Sequence, residues 1–285
     1  MSMQYHETVA SPFLRTYVKC FWFLRGAKVT SSTTERILPD GCAEIVVHRG
    51  APMIAGGLNA PPQAQSQAMI VGQISRCLFL EPTGAVDVIG IRLTPTGLHH
   101  LLRTSAAELT DGEIAVSSWS NTFSRDLIAA VSQPGDCLAR LERLLLSALP
   151  DCPAHCDYMQ KAVERIIAAD GAIPMADLCR SLNISGRQLE RRFEREVGLR
   201  PKLFARIIRF SAAVRCAQSD SGLNGAHLAQ RFGYSDQAHF VREFRHFAGA
   251  SPSAYFGEDH PISTLLTSCG DVGFVQDRSF TPQYH

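Results

Sequence analysis

The chain has 285 residues, of which 45% are apolar and 19% charged, with 28 Lys and Arg against 27 Asp and Glu. This composition excludes a chain that is disordered as a whole, and no apolar run approaches the roughly 18 residues that a membrane span needs. Residues 1–17 lack the basic and then apolar pattern of a signal peptide, so we expect a cytoplasmic protein without membrane association. The nine cysteines are odd in number and irregularly spaced, which disfavours a disulfide framework.

The first half of the chain alternates short β-like runs with turn residues. Apolar runs lie at 17–24, 43–48, 52–55, 68–71, 77–80 and 86–93. Pro39-Asp40-Gly41 and Pro82-Thr83-Gly84 are typical turn sequences between them. After Pro95 the spacing of apolar residues becomes helical, at 96–103, 119–132 and 136–148. We therefore predict a mainly β domain at 1–150, a small barrel or sandwich with accessory helices that close it or pair with a second subunit.

The second half of the chain has a different organisation. Residues 151–156, which include two cysteines and a proline, interrupt the helical pattern and are the predicted linker. Residues 157–256 have helical patterns throughout, and 257–285 form a polar tail that contains Pro, Gly and Ser. The predicted fold class is thus α+β, with an all-α C-terminal domain.

The net charge of +1 conceals an uneven distribution. Between residues 175 and 247 there are thirteen Arg and Lys against seven Asp and Glu, so this segment carries +6 and the rest of the chain −5. A basic block beside an acidic one is typical of a protein with one domain that meets a polyanion. A net charge near zero would by itself argue against a nucleic-acid partner. The uneven distribution of the charge removes that objection.

The basic segment contains an internal repeat with a period of about fifty residues. Leu182-Asn183-Ile184-Ser185 corresponds to Phe232-Gly233-Tyr234-Ser235, and the apolar, basic and turn positions that follow recur in the same order. Each copy describes a helix, a short turn and a second helix, while 202–219 has the pattern of one continuous connecting helix. The sequence predicts two helix-turn-helix units joined by a long helix.

Local residue types support this interpretation of each unit. Asn183 and Gly233 tolerate the left-handed backbone that the turn requires, and Ser185 and Ser235 are suited to cap the next helix. Apolar residues four positions apart in each second helix predict a buried stripe, which leaves the polar residues on the opposite face. Arg, Gln, Glu and His on such a face can bond base edges or phosphates. The candidate DNA-binding residues are Arg187, Gln188, Glu190, Arg191 and Arg195 in the first copy and Ser235, Gln237, His239, Arg242 and Arg245 in the second.

The residues at 157–256 resemble the DNA-binding domain of AraC/XylS-type transcription regulators. The densest match is Gly233-Tyr234-Ser235-Asp236-Gln237-Ala238-His239-Phe240-Val241-Arg242-Glu243-Phe244, followed by Phe247-Ala248-Gly249 and Ser251-Pro252-Ser253-Ala254-Tyr255. The resemblance implies seven helices, binding to double-stranded DNA, and action as an activator that contacts RNA polymerase. The base-reading positions that it implies are Arg187, Glu190, Arg191, Gln237, Ala238 and Arg242. Two residues depart from the family pattern: Phe256 stands where Arg is frequent, and Gly225 is expected to weaken the start of the second unit.

The first half resembles an N-terminal domain found in a subset of these regulators. The resemblance rests on residues 36–46, Val71-Gly72-Gln73, Pro82-Thr83-Gly84 and residues 90–95. In the family the corresponding domain binds a small effector and dimerises, so an unidentified effector and a homodimer are implied. Polar residues in or beside the predicted strands are candidates for the effector pocket, although turn capping and rim salt bridges explain them equally well: Arg36, Asp40, Glu44, His48 and Arg92.

Catalytic and cofactor motifs have no counterpart in the sequence. There is no Walker loop, dinucleotide fingerprint, nucleophile elbow or paired metal motif, so we predict neither an enzyme nor a bound cofactor or metal. The pair His99-His100 and the Cys152-to-Cys156 segment are weak metal candidates. A metal-binding, cupin-like enzyme or sensor domain fused to the DNA-binding module and a pure protein-interaction module remain the alternatives.

Overall fold

In the computed structural model, the described residues are 3–27, 34–57, 61–149, 158–219, 224–257 and 262. Among these residues, the N-terminal part has ten strands: β1 Gln4–Val9, β2 Val18–Gly26, β3 Glu35–Ile37, β4 Glu44–His48, β5 Met53–Gly57, β6 Gln63–Ala64, β7 Ala68–Val71, β8 Leu78–Pro82, β9 Val86–Leu93 and β10 Glu113–Ala115. They form a six-stranded sheet in the order β1-β2-β9-β4-β7-β10 and a four-stranded sheet in the order β3-β8-β5-β6.

The central strands of the larger sheet are buried on both faces. In β4, Ile45 and Val47 join a cluster with the helices of this part of the chain, while Val46 between them faces the smaller sheet. In β2, Phe21 likewise belongs to the cluster with the helices, and Trp22 belongs to the cluster on the side of the smaller sheet. Because successive side chains point to opposite faces, a strand covered on both sides has an uninterrupted apolar sequence. This is why the runs at 43–48 and 86–93 lack alternation.

Short helices cover the outer face of the larger sheet. They are α1 Gly97–Leu102, a 3-10 helix Ala106–Leu109, α2 Val116–Trp119, α3 Asn121–Ser132 and α4 Cys137–Ala148. Leu127 of α3 and Leu141 and Leu145 of α4 are fully buried in the cluster with the sheet. The predicted β-rich architecture with accessory helices is confirmed, with two facing sheets. Strands β1, β3, β6 and β10 were not predicted.

The C-terminal part is helical, as predicted. Its helices are α5 Tyr158–Ala168, α6 Met175–Leu182, α7 Gly186–Val197, α8 Pro201–Ser219, α9 Gly225–Arg231, α10 Gln237–Ala248 and α11 Pro252–Gly257. The predicted connecting helix is α8. The predicted linker at 151–156, with its two cysteines, lies outside the described residues, as does the tail at 257–285 apart from Gly257 and Ile262.

The two parts share a core. Leu38 and Cys77 from the β-rich part are buried in the same cluster as the helices from α5 to α11, with Phe79 packed against it. Gly41 approaches α8 so closely that a Cβ atom there would lie 2.8 Å from the Phe204 ring. Among the described residues, no helix is both long and apolar enough to cross a membrane.

Candidate nucleic-acid interface

The first helix-turn-helix unit consists of α6 and α7. Helix α6 ends at Asn183, whose φ of 52° places it in the left-handed region. Helix α7 begins with a capping box: the Ser185 hydroxyl accepts the Gln188 N–H at 3.3 Å, and the Gln188 side-chain oxygen accepts the Ser185 N–H at 3.0 Å. Both sequence predictions for this turn are confirmed.

The second unit consists of α9 and α10, and its caps differ from the prediction. Asn224 accepts the N–H groups of Ala226 and His227, both at 3.0 Å, so α9 begins at Gly225 with a well-formed cap. Gly233 has the expected left-handed backbone, with a φ of 68°. The cap of α10 is Asp236 and not Ser235, because the Asp236 carboxylate accepts the His239 N–H at 2.6 Å. That bond lowers the pKa of Asp236.

Both second helices are held on α8 by aromatic contacts. Phe193 of α7 lies against Phe204, with ring centroids 5.4 Å apart, and Phe244 of α10 lies against Phe210 at 5.3 Å. Leu189 and Phe240 complete the buried stripes. The polar faces of α7 and α10 are therefore on the side away from the core, as the repeat predicts.

Six candidate side chains on these faces are free to meet a ligand. Within the described part of the chain they make no side-chain hydrogen bond or ion pair, and all six are exposed: Arg187, Glu190, Arg191, Gln237, Arg242 and Arg245. Exposed Ala238 adds a small surface at the start of α10. The exposed set combines guanidinium, amide and carboxylate groups, all of which can read base edges, and the guanidinium groups can also bind phosphates.

The remaining candidates already have partners within the chain. Gln188 is held in the capping box, and Arg195 forms an ion pair with Glu196 at 2.7 Å. Ser235 and His239 bond to each other, with the hydroxyl oxygen 3.1 Å from the ring Nδ1, and the His239 ring packs edge-on against Tyr234. Contact of these four with DNA would require them to share or exchange these partners.

Sequence reasoning missed the ion pair that joins α10 to α8. The Arg206 Nε donates to one carboxylate oxygen of Glu243, and a terminal guanidinium nitrogen donates to the other, each at 2.8 Å. Burial alone would raise the pKa of Glu243, but the hydrogen bonds and charge of Arg206 outweigh it and lower the pKa. The partners are 37 residues apart, so no local pattern could have paired them.

A cavity of about 110 Å³ lies between the two sheets and extends to α8. Its walls are mainly apolar, with Trp22, Met53 and Met69 from the strands and Phe210 and Val214 from α8. The cavity also borders four of the predicted effector residues, Asp40, Glu44, His48 and Arg92. The fifth, Arg36, lies elsewhere: its guanidinium stacks over Phe79 and donates to the carbonyl oxygen of Ala248.

Several polar residues of the cavity are paired with one another. Arg92 donates to Glu44 at 2.8 Å and lies 3.6 Å from Asp40, while the Trp22 indole N–H also donates to Glu44. The His48 Nε2 and the Gln65 side-chain oxygen are 3.1 Å apart. Burial lowers the pKa of His48, although the bond to Gln65 opposes this shift. The cavity thus has apolar walls and fixed polar groups, the usual composition of a small-molecule site.

Comparisons with known proteins fit this arrangement. Residues 178–258 match the family model of a helix-turn-helix domain, and residues 6–115 match a domain of unknown function. The chain therefore contains a helix-turn-helix domain of the AraC type behind a β-rich domain of a separate family. The match to the helix-turn-helix model supports the prediction that the chain is a DNA-binding transcription regulator. No curated protein sequence matches the chain.

Several solved structures are distantly similar. ToxT from Vibrio cholerae is 12% identical with a TM-score of 0.45, covering 90% of this chain and 98% of ToxT. A ToxT structure with a bound unsaturated fatty acid is 12% identical with a TM-score of 0.42, covering 82% of this chain and 94% of that one. The AraC-like transcriptional activator CuxR is 12% identical with a TM-score of 0.29, covering 76% of this chain and 86% of CuxR.

Proposed function

We propose that this chain is a sequence-specific transcription regulator whose helices α7 and α10 enter successive major grooves of double-stranded DNA. The observation that carries the proposal is a set of six exposed polar side chains that have no hydrogen-bond or ion-pair partner among the described residues and lie on two capped helices sharing one connecting helix. Helices that protrude on one side about 34 Å apart can reach successive major grooves on one face of the duplex.

The two kinds of contact have different roles in this proposal. Arg195, Arg245 and the capped helix starts supply phosphate contacts, which give affinity without sequence information. Arg187, Glu190 and Arg191 on α7, with Gln237 and Arg242 on α10, read base edges. The side-chain bond between Ser235 and His239 links the turn before α10 to the first turn of that helix.

Selection of a duplex from a randomised library of about 30 bp tests this function, since two elements one helical turn apart fit within that length. We expect one selected consensus with two conserved elements about one turn apart, both protected in a footprint on the same face. Equal retention of random and selected DNA at physiological salt would contradict sequence-specific binding.

We further propose that the cavity between the sheets and α8 is the effector site. Both domains contribute to its wall, so a bound molecule contacts α8 directly and is able to favour one arrangement of the domains over another. A dry cavity of roughly 150 Å³ holds benzene in other proteins, so a cavity of about 110 Å³ limits a bound molecule to about the size of one small ring. The paired charges of Arg92 and Glu44 supply a polar end.

Filling the cavity tests the effector site. Val46 lines it, and Val46→Phe would occupy much of its volume. We expect phenol to raise the melting temperature of the native chain and to leave the V46F variant unaffected. The control is Val9→Phe on the surface, because Val9 is 38% exposed. Equal stabilisation of the V46F variant and the native chain would place binding outside the cavity.

A further inference from the structure

The β-rich domain donates hydrogen bonds to the C-terminal ends of α7 and α10, the two proposed recognition helices. At the end of α7, the Thr110 hydroxyl donates to the carbonyl oxygen of Gly198. At the end of α10, the Cys77 N–H donates to the carbonyl oxygen of Phe247 at 2.8 Å. The last carbonyl groups of a helix have no partner within the helix, so donors from elsewhere hold these ends in place.

The two attachment points are tied to each other within the β-rich domain. Asp111, next to Thr110, accepts both the N–H and the hydroxyl of Ser75, each at 2.6 Å. The Asp111 N–H in turn donates to the carbonyl oxygen of Gln73 at 2.8 Å. Ser75 is two residues before Cys77, so a short chain of bonds leads from Gly198 to Phe247. We call Ser75, Cys77, Thr110 and Asp111 the clasp.

The clasp adds a hydrogen-bonded attachment at the helix end to the packing of each recognition helix on α8. Each recognition helix packs on α8 through an aromatic pair, Phe193 with Phe204 and Phe244 with Phe210. A single line of contact between two helices permits rocking about that line. A second attachment at the helix end limits this freedom, and at α10 the attached residue, Phe247, also packs on Phe210 with ring centroids 5.1 Å apart. The close fit at Gly198 supports a rigid attachment, because a Cβ atom there would lie 3.0 Å from the Thr110 hydroxyl.

We infer that the clasp sets the distance and relative rotation of α7 and α10, and so determines the spacing of the two DNA elements that the chain accepts. This inference rests on the proposed DNA-binding function. One inserted base pair moves the second element about 3.4 Å along the axis and rotates it by about 35°. A rigid pair of recognition helices cannot follow that change, whereas a pair that rocks on α8 follows it in part.

The test compares the native chain with the double variant Ser75→Ala and Thr110→Val. The native chain should lose about tenfold or more in affinity when one base pair is inserted between the elements of its selected duplex, because DNA must be twisted to restore the fit. The clasp variant should lose about threefold or less and bind the unaltered duplex within about threefold of the native chain. The matched control is Ser118→Ala with Thr122→Val, both on exposed helical surface. An unchanged spacing penalty in the clasp variant overturns the inference.

Hydrogen exchange without DNA provides a second readout. Amides at 198–200 should exchange about tenfold faster or more in the clasp variant than in the control, because the Thr110 bond to Gly198 is lost. If the native chain binds no duplex, the proposed function fails. Unchanged hydrogen exchange would show separately that the clasp does not restrain the helix ends.

Circular dichroism establishes that each variant is folded, and Ser75→Ala alone replaces the double variant if the latter unfolds. It removes the Ser75 hydroxyl bond to Asp111 and leaves the Ser75 N–H bond and both helix attachments in place.

Discussion

At the scale of the residue, the recognition helices divide their polar side chains into those that are free and those that hold the structure. Gln188 and Arg191 are both exposed and both belong to α7, but Gln188 is bonded to Ser185 while Arg191 has no hydrogen-bond partner in the described chain. Sequence patterns place both on the outward face. Only coordinates distinguish them, because a capping bond and a base contact use the same side-chain atoms.

Arg187 is the residue whose removal should affect sequence reading most directly. We expect Arg187→Ala to cost roughly 1 to 3 kcal/mol on the selected duplex and to relax preference at one base pair, because the proposed bidentate contact with a base edge would be lost. Electrophoretic mobility shifts on the selected duplex and its single-base variants measure both effects. Equal losses on selected and random DNA would assign Arg187 to phosphate binding.

Glu243 should contribute to stability in a pH-dependent way. Its pKa is lowered in the folded chain, so the contribution is present above the unfolded value of about 4.3 and is lost as the pH falls through the folded value. We expect Glu243→Gln to reduce the free energy of unfolding by about 1 kcal/mol at pH 7, since Arg206 is partly solvated, and by progressively less below about pH 4. Urea unfolding at several pH values measures this.

The control for that variant is Glu190→Gln, because Glu190 is exposed and has no ion-pair partner in the described chain. It should leave the free energy of unfolding nearly unchanged at every pH. A destabilisation by E243Q that is the same at pH 7 and pH 3 would assign the effect to packing instead of charge.

At the scale of the element, helix starts decide where the recognition helices lie. The repeat places Ser185 and Ser235 at equivalent positions, yet the first caps α7 while Asp236 replaces the second at α10. Ser, Asp and Asn are all strong caps. Where two such residues are adjacent in the sequence, the local backbone conformation decides which of them caps the helix. A pattern of residue types does not specify that conformation.

This difference between the two serines gives a direct comparison. Ser185→Ala should reduce the free energy of unfolding by about 1 kcal/mol because the capping box is lost, whereas Ser235→Ala should cost less than about 0.5 kcal/mol. Thermal and urea unfolding of the two variants measure this. Equal costs would mean that Ser235 shares the capping role that the coordinates assign to Asp236.

At the scale of the whole molecule, the +6 segment and the −5 remainder have different tasks. The basic segment carries the exposed faces of α7 and α10 and contributes α8 to the cavity wall, and the rest of the chain supplies the two sheets and the other walls. Net charge therefore says little about the partner of a protein with two domains. The attraction of a polyanion depends on the electrostatic potential at the surface of the recognition helices.

Binding to DNA should depend steeply on salt despite the near-neutral chain. If about six phosphates are neutralised, the slope of log K against log salt concentration should be roughly −5. Fluorescence anisotropy of the selected duplex between about 50 and 200 mM salt measures it. A slope near zero would contradict a phosphate-contacting basic face.

The amino-acid sequence by itself determined the helix-turn-helix repeat, the connecting helix and most strands, because turn residues and apolar periodicity are local properties. It did not predict short edge strands such as β3 and β10, which have three residues each and little pattern of their own. Only the tertiary structure decided that Arg206 pairs with Glu243, that Arg36 bonds the end of α10 and that four other polar residues border one cavity. These contacts join residues distant along the chain, and their geometry depends on how the two domains pack.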